Sequence, residues 1–257
     1  MSGELTTLFT GRHLTKLETA ASTNSHLSSL LANGRLPEGA AIIADEQTAG
    51  RGQAGAKWNS EAGKNLLISF VFYPSFLSAK DLFLLNKTFS LAVYDMVSSM
   101  VNDVVKIKWS NDIYVNDKKI CGMLIENSLR SAQVNHSILG IGLNINEGIF
   151  PKEIPNPVSL KQITGKEYNI TECFNKLCEC IESRYLQLKA GHQEKINHQY
   201  RQALYRLNEW HWYETDNERF KGKITDVNDE GKLCLLNENG NISQFEFKQI
   251  KFMLPNS

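Results

Sequence analysis

Apolar residues fall along this chain with two periods, and the order in which those periods alternate outlines a fold. Residues 40–44 and 66–73 are nearly unbroken apolar runs between polar or glycine-containing stretches, the pattern of strands buried on both faces. Residues 136–146 form a third run, interrupted by Gly140 and Gly142. Elsewhere helical spacing takes over. Leu27, Leu30 and Leu31 share one face of residues 22–32, which open on Ser22 and Thr23 as candidate N-caps and close before Gly34. Leu84, Leu85, Phe89, Leu91, Ala92 and Met96 predict an amphipathic helix over 82–101. Residues 169–205 have helical periodicity, with Cys173, Phe174, Leu177, Ile181, Tyr185 and Leu188 as a core-facing stripe, and Pro151, Pro155 and Pro157 mark a surface loop ahead of them.

Within residues 106–126, two apolar runs flank Asn116-Asp117, a hairpin signal. Ser110-Asn111-Asp112 is a turn cluster before a strand at 113–115, and Lys118-Lys119 opens the next strand. From Leu207 onward short alternating runs, broken at 228–231 and 237–240, predict a small antiparallel barrel. The expected class is therefore α/β (α+β), a mixed sheet packed with helices over residues 1–206 followed by a small β domain over 207–257.

With 257 residues and 42% hydrophobic content, one substantial core and a small accessory domain can both be buried. The 28 basic and 28 acidic residues cancel, so no global field favours nucleic acid, and none is expected as a partner. Thr10-Gly-Arg-His interrupts any early h-region and no apolar run is long enough to cross a bilayer, so a cytoplasmic protein without membrane contact is expected. The five cysteines, at 121, 173, 178, 180 and 234, contain no C-x-x-C pair, and Cys178 and Cys180 point to different helix faces, so neither zinc nor a bridge is expected. The six histidines show no H-E-x-x-H spacing and receive no role.

Candidate chemistry is concentrated in residues 46–58, where Gly50, Gly52 and Gly55 surround Arg51 and precede Trp58. Glycines let the backbone take up positive φ and approach a ligand, so that N–H groups converge on phosphate or carboxylate oxygens beside the guanidinium. The bare G-x-G-x-x-G pattern lacks the acidic residue a dinucleotide fold wants about 20 positions on. Gly55 is followed by Ala56-Lys57-Trp58 rather than the Gly-Lys-Ser/Thr of a Walker A loop, and His-Arg-Asp and Asp-Phe-Gly are absent. A nonstandard phosphate or carboxylate loop remains. Gly140 and Gly142 would let a flat ligand lie against a strand backbone, or mark a bend. Ser22-Thr23-Asn24 reads by itself as a cap, Lys119 as a strand-end lysine, Asn111-Asp112 as a turn, and Trp58 and Trp109 as core anchors.

Taken in order, these pieces resemble the biotin protein ligase family between about Ser22 and Asn146. The resembling motifs are Ser22-Thr23-Asn24, Gln47 with Gly50-Arg51-Gly52 and Trp58, Lys108-Trp109-Ser110-Asn111-Asp112, Lys119 with Gly122, and Gly140-Ile141-Gly142-Leu143-Asn144. The resemblance implies a class II synthetase-like catalytic domain with an SH3-like C-terminal domain, and an ATP-dependent ligase that makes biotinyl-5′-AMP and transfers biotin to a lysine of a biotin carboxyl carrier protein. It implies biotin contacts from Ser22, Thr23, Asn24, Gln47, Gly50, Arg51, Gly52, Gln53, Lys119, Gly122, Gly140 and Gly142, and adenylate contacts from Arg51, Trp58, Asn111, Lys119 and Asn144. Lys119 and Arg51 are the implied catalytic pair, Mg²⁺ the implied metal, and Asn111 and Asp112 candidates for orienting Lys119 or organising the metal.

Two departures stand out. Gln53 and Ala56 occupy loop positions where the family often carries basic residues, which lowers loop charge and the charge-assisted part of phosphate retention. Ser110 stands where the family usually has proline. No segment ahead of Ser22 is long enough for the winged helix-turn-helix of bifunctional members, so a ligase without repressor function is expected. Pairing through an exposed sheet edge leaves monomer and homodimer open. The alternatives are a lipoate or octanoate ligase, whose Arg-Arg-x-Ser-Gly-Gly-Gly type loop is absent, a noncatalytic biotin sensor, which would lack the adenylation lysine, and a carrier-docking scaffold that consumes no ATP.

Overall fold

The computed structural model describes residues 4–253. Seven strands form one mixed sheet: β1 (Leu14–Ala20), β2 (Ala41–Gln47), β3 (Leu66–Phe72), β4 (Val105–Lys108), β5 (Asp112–Val115), β6 (Lys118–Arg130) and β7 (Gln133–Leu143). Their spatial order is β1-β2-β3-β7-β6-β5-β4, with β1 and β2 parallel and the other neighbours antiparallel. Five helices complete this part, α1 (Thr23–Asn33), α2 (Phe83–Ser98), α3 (Leu160–Thr164), α4 (Ile170–Lys189) and α5 (Gln193–Ala203).

The sheet is covered on both faces, which is why β3 reads as an unbroken apolar run: all seven of its residues are buried. On one face α2 and α4 pack Leu85, Phe89, Leu177 and Tyr185 against Phe70 and Phe72. On the other face α1 closes a smaller cluster of Leu27, Ala40, Ile42, Val71 and Ile138. The remainder of that second face, over β6 and β7, carries the small residues Gly122, Gly140 and Gly142 in register, with Gly122 opposite Gly142 and Leu124 opposite Gly140.

A second, antiparallel sheet consists of β8 (Trp210–Glu214), β9 (Arg219–Val227), β10 (Leu233–Asn237), β11 (Ile242–Phe245) and β12 (Lys251–Phe252) in the order β11-β10-β9-β8-β12. Its inner residues Tyr213, Ile224, Leu233 and Leu235 join the main core. Trp109 ties the sheets together, donating Nε1–H to the Gly231 carbonyl at 2.9 Å and packing on Phe247 with ring centroids 6.0 Å apart. The expected small antiparallel β unit is present, and its residues 254–257 lie outside the described residues.

Two expectations change. The helical periodicity over 169–205 is divided between two helices, because Gly191 takes φ 83° and turns the chain between α4 and α5. The N-cap reading of Ser22 also fails in part. Ser22 occupies the N-cap position, but its side chain makes no capping hydrogen bond. The Thr23 N–H and hydroxyl turn instead to Gln47 Oε1, at 2.8 and 3.1 Å. Four of the five cysteines are buried and Cys180 is half-buried, all as free thiols. Among the described residues no helix is long and apolar enough to cross a membrane.

Candidate active site

The connection from β2 to β3 crosses the sheet face that α1 leaves uncovered. Its Gly50–Trp58 segment is a closed loop, with Trp58 N donating to Gly50 O at 2.9 Å and a one-turn helix at Gln53–Gly55. Gly55 takes φ 84°, the left-handed conformation a glycine supplies without strain. Beneath the loop lies a cavity of about 140 Å³. Of the expected residues, Ser22, Thr23, Asn24, Gln47, Arg51, Gly52, Gln53, Trp58, Asp112, Lys119, Gly122 and Gly140 line it. Gly50 lines a neighbouring depression on the far side of the loop.

One end of the cavity is a chain of hydrogen bonds that orients neutral groups. Gln47 Oε1 accepts from Thr23; Ser69 Oγ lies 2.7 Å from Thr23 Oγ1 and donates to Asn24 Oδ1 at 2.5 Å. Asn24 Nδ2 donates to Glu126 Oε2 at 2.7 Å and to the Leu124 carbonyl at 3.3 Å. The same Glu126 oxygen accepts from Arg51 Nη2 at 2.8 Å. At the other end Lys119 Nζ meets Asp112 Oδ2 at 2.7 Å and stands 5.7 Å from the Trp58 ring centroid. Arg51 and Lys119 are thus each held by a carboxylate, while Lys57 also lines the cavity.

Glycines form the floor, and side chains stand close above them. A Cβ at Gly142 would overlap the Trp58 indole, and one at Gly122 would meet Trp58 Cζ3 at 2.9 Å and Lys119 Nζ at 3.2 Å. A Cβ at Gly140 would overlap the Asn24 amide. The space expected for a flat ligand over Gly142 is therefore taken by Trp58. The indole Nε1 of Trp58 is buried with no hydrogen-bond partner, an orphaned donor inside a binding cavity. At about 140 Å³ the cavity falls below the roughly 300–1,000 Å³ of pockets that enclose small-molecule ligands, so Trp58 or the loop must shift to admit one.

Two expected contributors face elsewhere. Asn111 donates Nδ2 to the Met123 carbonyl at 3.1 Å, and Asn144 donates Nδ2 to the Val158 carbonyl at 3.0 Å; both side chains are buried and brace β6 and the loop before α3. Lys108, next to this region, donates to Tyr114 Oη at 3.1 Å and packs between the rings of Tyr114 and Phe252. Burial lowers its pKa to about 8, against the opposing pull of Asp112.

Sequence reasoning missed Glu126, Ser69 and Phe247. Glu126 was signalled by strand alternation, because Gly122, Leu124 and Glu126 share a face on a period of two. Ser69 breaks the apolar run of β3 and sits opposite Gly140. Phe247 lines the cavity from the turn between β11 and β12, and no local pattern connects it with the loop. Among the described residues no group of three or more His, Cys, Asp or Glu side chains is arranged to hold a metal ion.

Comparison with known proteins identifies the family. Residues 17–144 match the model of the Biotin/lipoate A/B protein ligase family. The bifunctional ligase/repressor BirA of Bacillus spizizenii is 31% identical over 235 residues, spanning 90% of this chain and 71% of that protein. The biotin--[acetyl-CoA-carboxylase] ligase of Mycobacterium tuberculosis is 26% identical over 87% of this chain and 83% of its own length. The solved structure of the biotin protein ligase from Aquifex aeolicus in complex with biotin and ATP superposes with a TM-score of 0.78 at 26% identity, covering 94% of this chain and 99% of that one. With a polar-ended cavity under a Gly-Arg-Gly loop and relatives matched along most of its length, the chain belongs to the biotin protein ligase family.

Proposed function

We propose that this protein joins biotin to a carrier-protein lysine in two steps, within the cytoplasm. Its family membership supports the reaction, and one observation carries the assignment of roles: Lys119 and Arg51 reach the same cavity whose far end, at Thr23, Asn24 and Gln47, is built to orient a neutral hydrogen-bonding group. In the first step a biotin carboxylate oxygen attacks the α-phosphorus of ATP, and the bond to pyrophosphate breaks. In the second the carrier's lysine amine attacks the acyl carbon of biotinyl-5′-AMP, and AMP leaves. The acceptor is a biotin carboxyl carrier domain.

Two anions must meet in the first step, so the chain's task is electrostatic preorganisation. Lys119 leaves Asp112 to bridge the carboxylate and the α-phosphate, and Arg51 with the loop N–H groups receives the phosphate charge. Trp58 bounds the adenylate side and offers its unpaired Nε1–H. The donor set fits Mg²⁺ only as an ion that arrives with the nucleotide, since Asp112 is the sole carboxylate on Lys119 and no protein cage exists among the described residues. When bound, the ion neutralises phosphate charge. On a division at residues 206 and 207, the C-terminal unit helps to close the cavity through Phe247, in the turn between β11 and β12.

The test is biotin-dependent ATP–pyrophosphate exchange by wild type and Lys119→Ala, with lipoate and octanoate as alternative acids. Exchange should require biotin and fall roughly 100-fold or more in the variant, since a lost preorganised donor costs about 3–4 kcal/mol in the transition state. Exchange with lipoate or octanoate alone, or full activity in Lys119→Ala, overturns the assignment.

A further inference from the structure

One carboxylate oxygen ties the polar end of the cavity to the loop above it. Glu126 Oε2 accepts both from Asn24 Nδ2, at 2.7 Å, and from Arg51 Nη2, at 2.8 Å. Asn24 is buried, its Oδ1 is committed to Ser69 Oγ, and its second Nδ2 hydrogen goes to the Leu124 carbonyl. An amide can be placed with oxygen and nitrogen exchanged, and hydrogen bonding decides between the two placements. A carboxylate and a backbone carbonyl accept only, so Glu126, through the shorter bond, and the Leu124 carbonyl together turn the Asn24 nitrogen toward β6 and its oxygen toward Ser69. Arg51, by contrast, is held by a pair that is partly open to solvent, with side chains 44% and 38% exposed, so that bond is weak enough for a ligand anion to break.

We infer that Glu126 is a positioning residue with two separable tasks: it fixes the orientation of the Asn24 amide at the head-group end, and it latches Arg51 and the 50–58 loop until a ligand anion takes its place. The inference rests on the function proposed above for what the ligand is, while the latch concerns the ligand-free protein alone. When Arg51 departs, the carboxylate keeps Asn24, so the head-group end stays ordered as the loop closes over the anion. The exchange is anion for anion, which spares the guanidinium any unpaired state.

Glu126→Ala and Glu126→Gln separate the tasks. Glutamine can still accept from Asn24 Nδ2 through its amide oxygen but carries no charge for Arg51. Calorimetric titration with biotin should show affinity falling about 10-fold or more in Glu126→Ala, the expected loss for a hydrogen bond to a charged group. Glu126→Gln should rescue that affinity to within about 3-fold. Hydrogen exchange of ligand-free protein should speed up across residues 50–58 in both variants, and the KM for ATP in the exchange assay should fall in Glu126→Gln while KM for biotin does not. Wild-type biotin affinity in Glu126→Ala, equal loss in both variants, or unchanged loop exchange overturns the inference. If Glu126→Ala does not fold, Glu126→Gln carries the loop and KM arms by itself. Wild-type protein that binds no biotin sinks the proposed function instead, and the loop-exchange arm still decides the latch.

Discussion

Gly140→Ala adds a single methyl group at the point where the sheet touches Asn24. Gly140 has an ordinary backbone conformation, so no φ strain enters and only space decides the outcome. The added Cβ would overlap Asn24 Oδ1 and lie 2.9 Å from its Cγ and 3.1 Å from its Nδ2. Asn24 cannot retreat freely, because it is buried and bonded to Ser69, Glu126 and Leu124. The strand cannot retreat either, since β7 is hydrogen-bonded on both edges, to β3 and to β6. Overpacking a filled site costs roughly 1–3 kcal/mol. For a protein of this size that corresponds to a melting temperature lower by about 2–10 °C. Expelling the Asn24 amide leaves a polar ligand group unpaired, at roughly 1–3 kcal/mol, or about 5- to 150-fold in Kd. Calorimetric titration with biotin and thermal unfolding measure the two effects, with Gly34→Ala as control because a Cβ there meets nothing within 4 Å. A Gly140→Ala protein that melts and binds biotin as wild type does would show that Asn24 moves without cost and that Gly140 is not the floor of the head-group end.

Two further outcomes follow from single side chains. Trp58→Phe keeps a ring over Gly142 but removes the orphaned Nε1 donor; because an unpaired buried donor costs about 1–3 kcal/mol, the unliganded variant should melt no lower than wild type, while the stabilisation given by biotin plus ATP shrinks. A variant with a lower unliganded melting temperature and the full ligand-induced gain would contradict that role. Lys108 titrates at about 8 in the folded protein and 10.5 when unfolded, so between these values the unfolded chain holds more protons and stability rises with pH by up to about 1.4 kcal/mol per unit. Lys108→Met should flatten that slope by nearly one proton in denaturant titrations between pH 8 and 10.5; identical slopes in the two proteins would refute the burial effect.

What the sequence reveals of this fold and what it conceals differ by the range of the interaction. β3, α2 and the stripe of α4 are legible because burial on both faces or on one stripe imposes a local period. β1 has no such period: most of its residues are exposed or half-buried, and its extended form follows from parallel pairing with β2 at the sheet edge. The break before α5 depends on one glycine at positive φ, which leaves the apolar repeat undisturbed. In the site, the loop and Lys119 were readable from glycine spacing and hairpin position. Asp112 beside Lys119 was readable too, from the turn that precedes the hairpin, but Glu126 was not, since its pairing with Arg51 depends on how the 50–58 loop folds over β6.

The two departures from the family's pattern meet each other. Ser110 Oγ stands 3.2 Å from Gln53 Oε1, so the loop is tied to the Lys108–Asp112 turn by a neutral contact at the positions where the family more often has proline and a basic residue. A neutral tie holds the loop's shape but supplies no charge to the phosphate. In the proposed reaction that duty falls on Arg51 and Lys119, and each is kept by a carboxylate, Glu126 or Asp112, in the ligand-free protein. Substrate anions then replace carboxylates of the same sign, and the cations change partner without crossing an unpaired state. With Gln53 and Ala56 uncharged, the proposed reaction places more of the phosphate charge on those two residues, and the inferred exchange at Glu126 is then the step on which loop closure turns.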